Sequence, residues 1–79
     1  MKISDIVRMA LAKSRKSQVD LQRYFNLSSP SAMGNKMIRG SWSANDLARV
    51  AKFTGGDLII RYPDGTEIAV RPEEKVEKE

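Results

Sequence analysis

The chain has no cysteine and no histidine. Without thiols there is no disulfide and no thiolate metal site. Without imidazole as well, the usual zinc sites and the commonest nucleophile–base pairs of enzymes have no parts to be built from. No apolar run approaches the roughly 20 residues of a membrane span. No charged-then-apolar signal segment opens the chain, so a cytoplasmic protein is expected. The acids that are present fall at helix starts or on a hairpin, and no pair is placed for acid–base work. Neither enzymatic activity nor a metal or cofactor is expected.

What remains is 79 residues, 41% of them hydrophobic, with a formal net charge of +4. That is one domain near the lower limit for folding on a single core, so a second copy or a ligand is expected to add stability. The charge is unevenly spread. Residues 1–52 hold ten bases (Lys2, Arg8, Lys13, Arg15, Lys16, Arg23, Lys36, Arg39, Arg49, Lys52) against three acids, whereas residues 53–79 hold four bases against seven acids. A basic body with an acidic end suits a protein that presents one part to a polyanion, although an unevenly charged solvated surface gives the same pattern.

Serines mark four helix starts. Ser4 precedes a first helix with Ile3, Ile6, Val7, Ala10 and Leu11 at helical spacing. Ser17 precedes a second helix, with Asp20 at the third position as a partner for a capping box and Leu21, Tyr24 and Phe25 as its apolar face. Asn26 stands where a helix-ending residue with positive φ belongs. Ser29-Pro30 restarts a third helix, Ser as cap and Pro at the first position, and Gly40 ends it. Ser43 and Asp46 form a second capping box, with Trp42 and Leu47 as a hydrophobic staple, and Gly55-Gly56 stops the fourth helix. Trp42 is expected to close the corner between the third and fourth helices rather than to stack on bases.

From Asp57 the period becomes alternating, and Pro63-Asp64-Gly65 is a turn sequence. A three-residue loop pairs Tyr62 with Thr66, Arg61 with Glu67, Ile60 with Ile68, Ile59 with Ala69 and Leu58 with Val70, and sets Asp57 opposite Arg71. This register gathers Leu58, Ile60, Tyr62, Ile68 and Val70 on one face and sets opposite charges across from each other on the other. A lone two-stranded ribbon is marginal in water, so its apolar face is expected to pack on the helices. The expected organisation is one domain over 1–72, with the hairpin at 57–71 and a disordered acidic tail over 73–79.

Two short helices joined by a tight turn inside a small basic helical body is the helix-turn-helix arrangement. Ser17-Gln18, Leu21, Phe25-Asn26-Leu27-Ser28, and the Arg39-Gly40 exit before a Ser-capped Leu-Ala helix resemble the phage-repressor-like family. This is the XRE, or Cro/repressor, type of helix-turn-helix. Ser29-Pro30-x-x-Met33-x-Asn35-Lys36-Met37, Trp42-Ser43 and the Pro63-Asp64-Gly65-Thr66 hairpin resemble small bacterial members that end in such a hairpin. The resemblance covers residues 3 to 71. It departs at Gln22, where the family usually has Ala, and at Asn26, where it usually has Gly. The turn is one residue longer, and Met33 and Met37 are four apart rather than three. The resemblance implies a mainly α, four-helix, lambda-repressor-like domain with a C-terminal hairpin, binding double-stranded DNA as a transcriptional regulator of repressor type. It implies a recognition helix at 30–39 and a homodimer, with half-sites about one helical turn, roughly 34 Å, apart.

With Met33 and Met37 on the buried side, a turn of about 100° per residue sets Ser31, Asn35 and Arg39 opposite them, with Ala32 beside. Asn suits the adenine edge, Arg suits guanine or a phosphate, and Ser and Ala fit near a thymine methyl. Phosphate contacts are expected from Arg15, Lys16, Ser17, Gln18, Ser29 and Lys36, clustered at helix starts and the turn. Ser17 and Ser29 also serve as caps. Gly34 either lets another surface approach or is merely tolerated. Ile38 is expected at the core rim, with a thymine contact as the alternative. The other function class left open is a protein-interaction adaptor that uses the unpaired edge of the hairpin, with the helices as scaffold.

Overall fold

The structure, a computed structural model, describes residues 2–73. The segment expected as a disordered tail lies, apart from Glu73, outside the described residues. The elements follow the order read from the sequence: α1 (Ile3–Ser14), α2 (Gln18–Tyr24), α3 (Pro30–Arg39), α4 (Ala44–Phe53), β1 (Leu58–Arg61) and β2 (Glu67–Val70).

Local chemistry accounts for most of the boundaries. Ser17 and Ser43 each accept a bond from the amide of Asp20 and Asp46, and each aspartate accepts in turn from its serine's own amide. Both capping boxes therefore satisfy two otherwise orphaned donors. Ser29 accepts from the amide of Ala32, with Pro30 in the first turn. Gly40 ends α3 with φ 65°. Arg15 ends α1 in the same left-handed conformation, with φ 60°, where the sequence carries no Gly or Asn to announce it.

Ser4 departs from expectation. Helix α1 begins before it, with Lys2 as N-cap and no side-chain capping bond. Ser4 is instead only 4% exposed. Its Oγ donates to the Met37 carbonyl (2.6 Å) and accepts from Trp42 Nε1 (3.0 Å). A buried hydroxyl needs a donor and an acceptor, and tertiary partners supply both. Trp42 therefore does more than close the α3–α4 corner: its ring meets Phe25 edge-on at 6.2 Å and its indole reaches α1.

The core joins Val7 and Leu11 of α1, Leu21 and Phe25 at α2, Met33 and Met37 of α3, and Val50 of α4, with Ala10, Tyr24, Leu27, Trp42, Leu47 and Phe53 around it. Helix α2 packs on α3, α1 and α2 both pack on α4, and β1 touches α4.

The hairpin has the expected register, Leu58↔Val70, Ile59↔Ala69, Ile60↔Ile68 and Arg61↔Glu67. The Tyr62 amide donates to the Thr66 carbonyl at 2.8 Å, and Arg61 pairs with Glu67 at 2.9 Å. The ladder stops at Leu58 and Val70, so Asp57 and Arg71 are not part of it. The expected packing of the ribbon's apolar face fails beyond the root. Leu58 and Val70 are half-buried, but Ile60, Tyr62 and Ile68 remain 46–49% exposed. The ribbon leaves α4 at Gly55-Gly56, and of the apolar face only its first pair, Leu58 and Val70, is partly covered. At the far end of β2, Asn45 holds Glu73 through both amide atoms. Its Nδ2 donates to the Glu73 carbonyl (3.1 Å) and its Oδ1 accepts from the Glu73 amide (2.6 Å). Glu73, assigned to the tail from the sequence, is therefore bonded to α4.

Candidate nucleic-acid interface

Between α2 and α3 the chain turns through Phe25–Ser29. Asn26 takes φ 61°, the conformation for which glycine is otherwise the favoured residue. Its amide donates to the Arg23 carbonyl, and the Leu27 amide donates to the Gln22 carbonyl. The Gln22 side chain completes the turn, its Nε2 donating to the Leu27 carbonyl at 3.1 Å. Two of the departures noted in the sequence therefore act together: Asn26 makes the corner and Gln22 ties it.

Helix α3 is divided lengthwise. Met33 and Met37 are buried. Ser31, Asn35, Ile38 and Arg39 are exposed, and Ala32 is half-buried beside them. Among the described residues no side-chain hydrogen bond or ion pair engages Ser31, Asn35 or Arg39, which leaves their donors and acceptors open to solvent. Ile38 is the correction on this face. Expected at the core rim, it is 82% exposed, the highest value among the large hydrophobic side chains that the body leaves uncovered. At about 100° per residue it lies roughly 140° from Met33 and 100° from Met37, on the outward side, and no neighbouring element covers it there. Gly34 is also resolved. A Cβ added there meets nothing within 4 Å, so no close approach requires glycine.

Lys36 is not available in the way its neighbours are. Its Nζ lies 2.8 Å from Asp46 Oδ2, donates to the Ser41 carbonyl at 2.8 Å, and sits 5.1 Å from the Trp42 ring centre. Both side chains of the pair are 20% exposed. Burial pushes the Asp46 carboxyl upward, but the bonds from Lys36 and Ser43 outweigh it and hold the group below its ordinary 3.8. The ammonium expected at a phosphate thus joins the end of α3 to the start of α4.

The other expected phosphate contacts lie at the α1–α2 corner and the start of α3. Arg15, Lys16, Ser17 and Gln18 are exposed, and Ser29 is half-buried. Lys16 holds its ammonium 5.0 Å from the Phe53 ring centre. Arg15, Lys16 and Arg23 share a shallow cleft with Asp20, Tyr24 and Phe53. Ser17 and Ser29 accept the capping bonds, and a hydroxyl that accepts keeps its own proton to donate. Capping and anion contact are therefore compatible.

Arg49 has a role that sequence pattern did not show. Its guanidinium lies 4.3 Å from the Phe25 ring centre and 5.3 Å from that of Tyr24, and its Nη2 donates to the Tyr24 carbonyl at 3.2 Å. It clamps the end of α2 from α4. Its place three residues after Asp46 marked it only as a helix cation, and both of its aromatic partners lie about 25 residues away in sequence.

No family model matches the chain, and no curated protein or solved structure matches it.

Proposed function

We propose that the chain is a helix-turn-helix domain of the Cro/repressor type. It binds specific double-stranded DNA as a homodimer, places α3 in the major groove, and regulates transcription as a repressor. The observation that carries this reading is the outward row of α3. Ser31, Asn35 and Arg39 stand exposed and unengaged among the described residues, on a helix whose opposite side is anchored in the core. A helix so held offers base-reading groups on a fixed backbone, with Asn suited to adenine and Arg to guanine. Arg15, Lys16, Ser17, Gln18 and Ser29 supply the phosphate contacts that set its register, while Lys36 is assigned to the ion pair with Asp46.

The test is a titration of mixed duplexes at two or more salt concentrations. Binding strengthens as salt falls, with a log–log slope of about −0.9 per phosphate contacted. Absence of binding at low salt contradicts the reading.

One observation favours a second reading, a protein-interaction adaptor. The exposed Ile60, Tyr62 and Ile68 form an apolar hairpin face of the kind that protein partners cover. Under that reading the same titration shows no duplex binding.

A further inference from the structure

The exposed hairpin face does not stand alone. Between α1 and α4 lies an open, mainly apolar groove of about 370 Å³, lined by Ile6, Ala10, Lys13, Leu47, Ala51 and Leu58 among others. Leu58 belongs to both features. It lines the groove and begins the hairpin's apolar face, which strand alternation continues through Ile60 and Tyr62 with Ile68 paired opposite. Groove and ribbon therefore form one continuous apolar strip, along which Ile6, Ile60, Tyr62 and Ile68 each remain 44–49% exposed.

We propose that this strip is the contact between two copies of the chain, the hairpin of each lying in the α1–α4 groove of the other. The proposal names the dimer contact of the DNA-binding reading and rests on that reading only for the expectation that two copies act together. A strip with a ridge at one end and a groove at the other is complementary to itself when turned about a two-fold axis, so both contacts form at once and the assembly closes.

Charge points to a second copy as the occupant. The hairpin and its flanks, residues 57–73, hold four acids (Asp57, Asp64, Glu67, Glu73) and two bases, whereas residues 1–52 hold ten bases and three acids. Helix α1 with its cap holds Lys2, Arg8 and Lys13 against Asp5, and at the groove Lys13 stands together with the chain's own Asp57. The acidic ribbon of one copy is thus drawn to the basic helices of another. The ribbon also needs cover, because Ile60, Tyr62 and Ile68 of its apolar face are left exposed and two short strands are marginal in water.

The test uses the full chain. Sedimentation equilibrium without DNA is expected to show a dimer. Ile60→Glu and Ile6→Glu, at opposite ends of the strip, are each expected to weaken association at least tenfold while helical circular dichroism is retained. The absence of native cysteine allows a positional check. Ile6→Cys chains mixed with Ile68→Cys chains should give, on mild oxidation, more mixed disulfide than either self-pair. A chain that stays monomeric at high concentration overturns the proposal. So does a dimer indifferent to both glutamates, the result for strand pairing along the hairpin edge, and so does crosslinking confined to like chains. Duplex binding by a monomer sinks this contact and the homodimer with it, and leaves DNA binding through α3 standing. A dimer of the stated geometry that binds no duplex does the reverse.

Discussion

Asn35 and Lys36 are one residue apart on α3, and a rotation of about 100° separates their circumstances. Asn35 stands exposed, while the Lys36 ammonium is held by Asp46, the Ser41 carbonyl and the Trp42 ring. Losing Lys36 therefore strands a half-buried carboxylate. Lys36→Met is expected to cost about 1–3 kcal/mol of stability at neutral pH, as for a charged hydrogen bond broken on one side. The pH dependence follows in sign. Asp46 sits below 3.8 in the folded chain, so its contribution is fully present above that value and is lost as pH falls through the folded value. Backbone and side-chain bonds with Ser17 lower Asp20, and those with Thr66 lower Asp64, in the same direction. With no histidine, melting temperature should be nearly flat between about pH 5 and 9 and fall below about pH 4. Thermal melts across pH check this, and the gap between wild type and Lys36→Met should narrow in acid. Ile38 gives the other prediction at this scale. Ile38 is exposed on α3, and under the proposed DNA reading its side chain is placed to meet a thymine methyl. Replacing thymines by deoxyuridine, one position at a time, should weaken wild type at one position and leave Ile38→Ala indifferent there. Equal losses in the two proteins would remove Ile38 from the reading face.

Among the elements, those closed by short-range chemistry were legible before any coordinates. The two Ser–Asp capping boxes, the Asn26 corner, the Ser29-Pro30 start and the hairpin register each depend on partners a few residues apart, so residue type and spacing suffice. What escaped depends on distant partners. Ser4 looked like a cap because serines usually are, but its true partners are 33 and 38 residues away. Arg49 found its aromatic clamp in the same way. The hairpin's pattern announced an apolar face correctly and could not announce what covers it, because that depends on where the ribbon leaves α4. Gly34 was ambiguous for the same reason, and the open space around it now decides its sign. Gly34→Ala should stabilise the chain by up to about 1 kcal/mol, from helix propensity and from a less flexible unfolded chain. Denaturant midpoints measure this, and a loss of stability would mean that α3 is more crowded than described.

For the whole molecule, the arrangement separates two jobs. The α2–turn–α3 unit is held from behind by the Met33–Met37 side, the Ser4–Trp42 link and the Arg49 clamp, which leaves its outer face exposed. The α1–α4 groove and the hairpin form a second surface, which the dimer proposal assigns to another copy. No described helix is long and apolar enough to cross a membrane. The candidate base-reading residues could be picked from the helical period because Met33 and Met37 mark the inner side unambiguously. The phosphate set was less legible, since sequence shows that Lys36 is basic and not that Asp46 comes to meet it. Under the proposed function, the exposed row of α3 carries sequence information and the flanking cations carry affinity. The direct test is a base-by-base affinity profile of wild type and Asn35→Ala on a duplex obtained by selection from a random pool. The account predicts that the variant loses discrimination at one base position, worth about 1–3 kcal/mol, and keeps it elsewhere. A uniform loss on every sequence, or an unchanged profile, would contradict it.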